Sequence, residues 1–170
     1  YIKGLDGKKL SGGVVYYDGQ FDDARLCISL ALTAVDVSAT LLNYCKVTGL
    51  IHEQEKVKGV VIKDVLNEEV YEARGTIIVN ATGVFVDDVL KMDDDGLAKT
   101  VSPSQGIHIV VDKKFFPGEH ALFIPRTDAG RVLFAVPFHD KVITGTTDTS
   151  IDSASIEPVA LDEEVEFVIN

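Results

Sequence analysis

The 170-residue sequence predicts an α+β fold in two lobes, and three observations lead there. Residues 41–74 hold three β-like runs, LLNYCKVTGLI, KVKGVVIKD and EVYEAR, separated by polar turns at residues 52–55 and 67–69. Residues 76–90, TIIVNATGVFVDDVL, place a β-branched run, a turn with Gly83, and apolar residues at helical spacing in direct succession. Beyond residue 100 the texture is strands only: SQGIHIVVD, ALFIP, RVLFAVP and KVITG. A strand meander with a strand–helix unit is therefore expected over residues 22–100. An antiparallel sheet is expected over 101–170, joined by residues 1–21, with the boundary near 93–101.

Taken in order, GVVYY at residues 13–17 reads as a short strand closed by Asp18 and Gly19. A helix follows, with Asp22 as N-cap, Asp23 in its first turn, and Leu26, Leu30, Ala34 and Val37 at three- and four-residue steps. Its apolar stripe is wide, which suits packing on a sheet. The meander comes next, then the strand, turn and helix of residues 76–90, which end in the acidic MDDDG. In the second lobe FFPGEH, RTDAG and FHD break the strands, and residues 127–130 look like a hairpin loop. The closing EEVEFVIN is acidic and helix-like.

Composition narrows the function. An apolar fraction of 46% supports a real core, and a net charge of −11 with pI near 4.7 argues against nucleic acid or an anionic membrane surface as partner. No apolar run nears the roughly 20 residues of a membrane span, and Tyr-Ile-Lys-Gly at the start lacks the regions of a signal peptide. A cytoplasmic protein is expected. Cys27 and Cys45 lie in apolar runs and read as buried free thiols. With no initiating Met and no stop signal after Ile169, both ends read as cuts in a longer polypeptide.

Few residues suggest chemistry. The turn Asn80-Ala81-Thr82-Gly83 reads either as a strand-to-helix turn that needs glycine or as a ligand contact, since amides at a helix start favour an anion. The dinucleotide fingerprint G-x-G-x-x-G is absent. The four histidines have no Cys or His partner at zinc spacing, so no metal is expected. His52, His120 and His139 fall in turns and read as solvated. His108, between Ile107 and Ile109, belongs on the opposite strand face and reads either as a satisfied residue or as a proton acceptor. The hydroxyls of GTTDT, residues 145–149, read as groups that bond to backbone, and Arg126 and Arg131 as solvated charges framing a hairpin. Asp93, Asp94 and Asp95 read as a solvated helix end. No G-x-S-x-G elbow and no Walker loop is present.

Six segments in order, GGVVYYDGQFDDARL, ATLLNYCKVTGLI, IIVNATGVFVDDVL, PSQGIHIVVD, GRVLFAVPF and GTTDT, resemble the FAD-dependent glycerol-3-phosphate dehydrogenases, and they span essentially the whole chain. The resemblance implies a middle portion of such an enzyme: a partial FAD-binding lobe and an antiparallel substrate-binding lobe. It implies FAD as cofactor, contacted by Val47, Ala81, Thr82 and Gly83, with the G-x-G-x-x-G segment upstream. It implies glycerol 3-phosphate as substrate, met by Gln105, Gly106 and His108, with His108 the catalytic base for oxidation to dihydroxyacetone phosphate. Many relatives carry a basic residue where Ser102 stands, so Ser102 receives no phosphate role. The isolated chain is expected to be inactive and to self-associate, and the parent to dock peripherally on a membrane. Two alternatives stay open: a related flavin-dependent amine or hydroxy-acid oxidase, and a non-catalytic α+β interaction module.

Overall fold

The computed structural model describes residues 2, 5, 8, 10–125, 127, 130 and 132–169. They group into two compact units, Gly12–Ala98 and Tyr1–Ser11 with Lys99–Asn170.

The first unit opens on helix α1, Asp23–Asp36. Asp22 caps it as the sequence suggests: its Oδ1 accepts the Arg25 amide at 3.0 Å, satisfying one of the free donors of the first turn. No residue of α1 is buried, and Leu26, Ile28, Leu30 and Leu32 are all exposed. The expected sheet beneath the apolar stripe is therefore not supplied by the described residues. For the same reason the expectation of buried thiols fails at Cys27, which is exposed, while Cys45 is half-buried; both are free.

The meander forms as read. Strands β1 Cys45–Glu53, β2 Lys56–Asp64 and β3 Val70–Arg74 pair antiparallel in the order β1-β2-β3. Gln54 and Glu55 join the first two with φ of 48° and 63°, the left-handed pair that matches the twist of a two-residue hairpin. Gly59 on β2 is buried, and a Cβ there would stand 2.5 Å from the Ala73 carbonyl oxygen, so no side chain fits between the strands at this point.

Two expected strands, residues 13–17 and 76–79, do not form. A strand requires a neighbour for its N–H and C=O groups, and neither run has one among the described residues. Their side chains are exposed apart from the half-buried Ile78, with Ile77 and Val79 at 79% and 78% exposure. The turn and helix that follow do form, as a 3-10 turn Gly83–Phe85 leading into α2 Val86–Leu90.

The second unit holds β4 Ser104–Gln105, β5 His108–Asp112, β6 Leu122–Ile124, β7 Leu133–Phe138, β8 Lys141–Gly145, β9 Thr149–Ser150 and α3 Asp162–Ile169. Four strands make one antiparallel sheet in the order β5-β8-β7-β6, while β4 pairs with β9. The side chain of Val142, on the inner strand β8, is 1% exposed. The expected hairpin loop at 127–130, with Arg126 and Arg131, lies largely outside the described residues, although Gly130 N–H donates to the Thr127 carbonyl at 2.8 Å.

Candidate functional site

Register sorts the sheet into rows. His108 pairs with Gly145, Gly145 with Phe134, and Phe134 with Phe123, so these four share one face. The next row, Ile109, Thr144, Ala135 and Leu122, lies on the other. Gly145 has no side chain, and the imidazole of His108 occupies the space above it. A Cβ at Gly145 would stand 2.6 Å from His108 Cδ2, and the His108 and Phe134 rings approach to 5.3 Å between centroids at an interplanar angle of 41°. His108 itself is exposed. It is thus a ring steered by an aromatic neighbour on an open sheet face, where it can exchange a proton with a bound molecule.

The opposite parity leads inward. Gln105, Ile107 and Ile109 are half-buried while Gly106, His108 and Val110 are exposed. Beneath them stands Glu164, 0% exposed, in the first turn of α3. Its Oε2 accepts from the Leu161 amide at 3.0 Å and from Gln105 Nε2 at 2.9 Å; its Oε1 accepts from Thr147 Oγ1 at 3.2 Å. The Leu161 bond, foremost, holds the Glu164 carboxyl below the usual carboxylate range against the opposing effect of burial, and Gln105, Thr149 and Thr147 add to it. The Thr149 hydroxyl is buried near this carboxylate but outside hydrogen-bond geometry. Thr147 Oγ1 also accepts the Ile107 amide at 3.0 Å, and Gln105 Nε2 reaches the Val159 carbonyl at 3.2 Å. One carboxylate therefore joins residues 105–107, 147 and 159–161.

Gly106 serves this joint. A Cβ on it would collide with the Thr147 carbonyl oxygen and stand 2.8 Å from Thr146 Oγ1. Its close approach is to the chain's own backbone, whereas the sequence suggested an approach to ligand. Gln105, Gly106 and His108 also line a groove of about 530 Å³ with Ile107, Ile109, Pro158, Val159, Ala160, Val165 and Ile169. Three of the residues singled out in the sequence thus come together.

In the other unit, Val47 is half-buried on β1 opposite Ile62. Ala81, Thr82 and Gly83 form the exposed turn before α2. Asn80 ties that turn: its Nδ2 donates to the Val86 carbonyl at 3.0 Å, and its Oδ1 accepts from Thr82 Oγ1 at 2.7 Å and from the Thr82 amide at 3.3 Å. Gly83 has φ of +57°, and nothing lies within 4 Å of a Cβ built on it. The turn is held from behind and open in front. His52, expected to be merely solvated, instead contacts Asp93 Oδ1 through Nε2 at 2.6 Å, with both side chains still substantially exposed.

Sequence reasoning missed Glu164 and, although it placed Asn80 in the turn, the bonds by which Asn80 braces it. Glu164 had a faint signal, since a Glu at the third helical position is where a capping box places the group that bonds back to the N-cap amide. Leu161 occupies the N-cap in place of the Ser or Thr that would have marked it.

Comparison with known proteins supplies the wider frame. The sequence model of the FAD dependent oxidoreductase family matches residues 2–169. The chain is 40% identical over 172 aligned residues to mitochondrial glycerol-3-phosphate dehydrogenase of Bos taurus, and 39% to that of Homo sapiens, in each case across 98% of this chain and 24% of the relative. It spans about a quarter of the length of these curated relatives. Among solved structures, the glycerol-3-phosphate dehydrogenase of Bacillus halodurans complexed with FAD superposes with a TM-score of 0.81 at 37% identity, over 86% of this chain and 30% of that one. L-proline dehydrogenase of P. horikoshii shares the fold, with a TM-score of 0.61 at 19% identity, over 87% of this chain and 37% of that one.

Proposed function

We propose, from the premise that the chain belongs to the FAD dependent oxidoreductase family, that it is the central part of a flavoenzyme oxidising glycerol 3-phosphate to dihydroxyacetone phosphate. The similarity to glycerol-3-phosphate dehydrogenases over nearly all of the chain supports this substrate. The observation that carries the chemistry is the exposed imidazole of His108 above Gly145.

The turn at 81–83 fits a cofactor that meets main chain. Its front is open at Gly83, its rear is fixed by Asn80, and Asp87 and Asp88 follow it with no cation between. Ala81, Thr82 and Gly83, with Val47, would hold FAD through backbone and van der Waals contact. When bound, the flavin supplies the redox chemistry by accepting a hydride from the carbinol carbon.

The chain's own residues handle the proton. His108 takes the hydroxyl proton as the C–H bond breaks and the C=O bond forms, a role suited to an exposed imidazole that can accept a proton on a ring nitrogen. Phe134 keeps the ring from turning freely on the sheet face. Gln105 and Gly106 line the same groove, and because the Gln105 amide nitrogen already bonds to Glu164 and Val159, any substrate contact from Gln105 comes from its Oε1 or main chain. In this reading residues 22–100 make the FAD-binding lobe and residues 1–21 with 101–170 the substrate lobe, while the compact units divide near residues 11 and 98 and place residues 12–21 with the first.

The two mammalian relatives are named as mitochondrial, and peripheral docking of the full-length enzyme on a membrane belongs to the same proposal. No helix among the described residues is long and apolar enough to cross a membrane. Exposed leucines on α1 support self-association of the isolated chain, which sedimentation at several concentrations would reveal or refute.

The test uses the full-length flavoenzyme carrying these residues. Glycerol 3-phosphate is expected to reduce its flavin, while amino-acid substrates do not. Replacing His108 by Gln should lower kcat by about 10²-fold or more. Unchanged turnover across pH would remove His108 from the mechanism, and failure to oxidise the phosphate ester would point to a related amine or hydroxy-acid oxidase.

A further inference from the structure

The structure assigns Glu164 a role that the proposed reaction leaves open: we infer that this buried carboxylate is the positioning residue that sets the His108 strand. The assignment rests on the reading of His108 as the base. Its own observations are independent of the substrate.

Glu164 is the single fully buried acidic side chain among the described residues. Burying a carboxylate is costly unless hydrogen bonds compensate for lost water. Here the compensation comes from three separated stretches of chain: Gln105 Nε2 at 2.9 Å, Thr147 Oγ1 at 3.2 Å and the Leu161 amide at 3.0 Å. Two of those partners pass the constraint to the site. Thr147 Oγ1 accepts the Ile107 amide at 3.0 Å, immediately before His108. Gln105 begins the turn whose Gly106 packs on the Thr147 backbone. Residues 105–107 are thereby fixed by side-chain bonds where the sheet ladder is interrupted between β4 and β5. The strand emerges from this clamp with His108 over Gly145.

An ordinary core contact at this place would need no charge. The alternatives fail on chemistry. A Gln at 164 keeps the shape but presents an NH₂ either to Thr147 Oγ1, where it takes the second lone pair and leaves the hydroxyl proton without its acceptor, or to the two donors Leu161 N–H and Gln105 Nε2. Neither orientation satisfies all three donors. The carboxylate, with acceptor lone pairs on both oxygens, does.

The experiment has two arms. In the first, nuclear magnetic resonance of the 170-residue chain, without flavin or substrate, follows the amides of Gly106 and Ile107 and the ring of His108, assigned through His108→Gln. Glu164→Gln should shift all three, and Glu166→Gln, an exposed change on the same helix, should leave them in place. Thr147→Val cuts the link at a second point. Its effect on the His108 ring should not simply add to that of Glu164→Gln, because both interrupt the path through Thr147. If Glu164→Gln does not fold, Thr147→Val and Gln105→Met, each cutting one link, carry the test.

In the second arm the full-length flavoenzyme is assayed. Misplacing a base lowers kcat while leaving substrate binding nearly intact, so Glu164→Gln should reduce kcat about tenfold or more with little change in KM. A lower melting temperature with unmoved Gly106, Ile107 and His108 resonances would overturn the inference and leave Glu164 a purely structural residue. So would unmoved kcat. If the unsubstituted enzyme ignores glycerol 3-phosphate, the substrate reading falls, and the resonance arm still decides Glu164.

Discussion

His108 and Gly145 face each other across β5 and β8, and the imidazole lies so close over the glycine that a Cβ there would stand 2.6 Å from Cδ2 and 2.7 Å from the Ile107 carbonyl oxygen. Gly145→Ala should therefore displace the ring and part it from Phe134. We expect a stability loss of about 1–3 kcal/mol, typical of overpacking. The His108 ring resonance should move in the same variant, and thermal unfolding read beside it checks the pair of effects.

Gly106→Ala tests the joint itself. Its methyl would run into main chain at Thr147, which cannot swing aside as the tip of a long side chain can. A loss of at least about 1–3 kcal/mol is expected in denaturant titration. An unchanged midpoint would mean that residues 104–108 can yield.

Gly83→Ala should behave differently. Nothing lies within 4 Å of the added Cβ, but φ of +57° is left-handed. The expected loss is about 1–2 kcal/mol, from backbone strain alone. In the full-length flavoenzyme it should also weaken flavin affinity, measured by fluorescence titration.

Acid should release Glu164. Its carboxyl is held below the usual range by the Leu161 amide, so the stability it contributes is complete above the ordinary glutamate value of about 4.3 and disappears as pH falls through the lowered folded-state value. The gap in unfolding free energy between the unsubstituted chain and Glu164→Gln should accordingly narrow across that acid window. Asp112 is also shifted downward, by its hydrogen bond and attraction to Lys141, and follows the same sign. That pair is exposed, so added salt should weaken its share while sparing that of Glu164.

Local pattern carried much of this fold into view. The meander, the cap at Asp22 and the strands of the second unit follow from period-two alternation and turn chemistry, which are properties of adjacent residues. Residues 13–17 and 76–79 have the same strand-like composition and form no strand, because pairing depends on a neighbour that sequence-local reasoning cannot supply. The burial of Cys27 failed on the same ground. At the candidate site, His108 stood out by its parity between Ile107 and Ile109. Glu164 did not, since a glutamate in an acidic first turn looks like every solvated helix start until partners as distant as Gln105 are brought against it.

The separation of those partners has a consequence for biosynthesis. Gln105 and Glu164 are 59 positions apart, so the strand bearing His108 is translated long before the helix that secures it. During vectorial synthesis the β6–β7 and β7–β8 hairpins can assemble, and β5 can join them through β8, while residues 105–107 still lack their clamp. Maturation of the histidine geometry then waits on the arrival of α3, and a nascent chain arrested before residue 164 carries the sheet without this clamp.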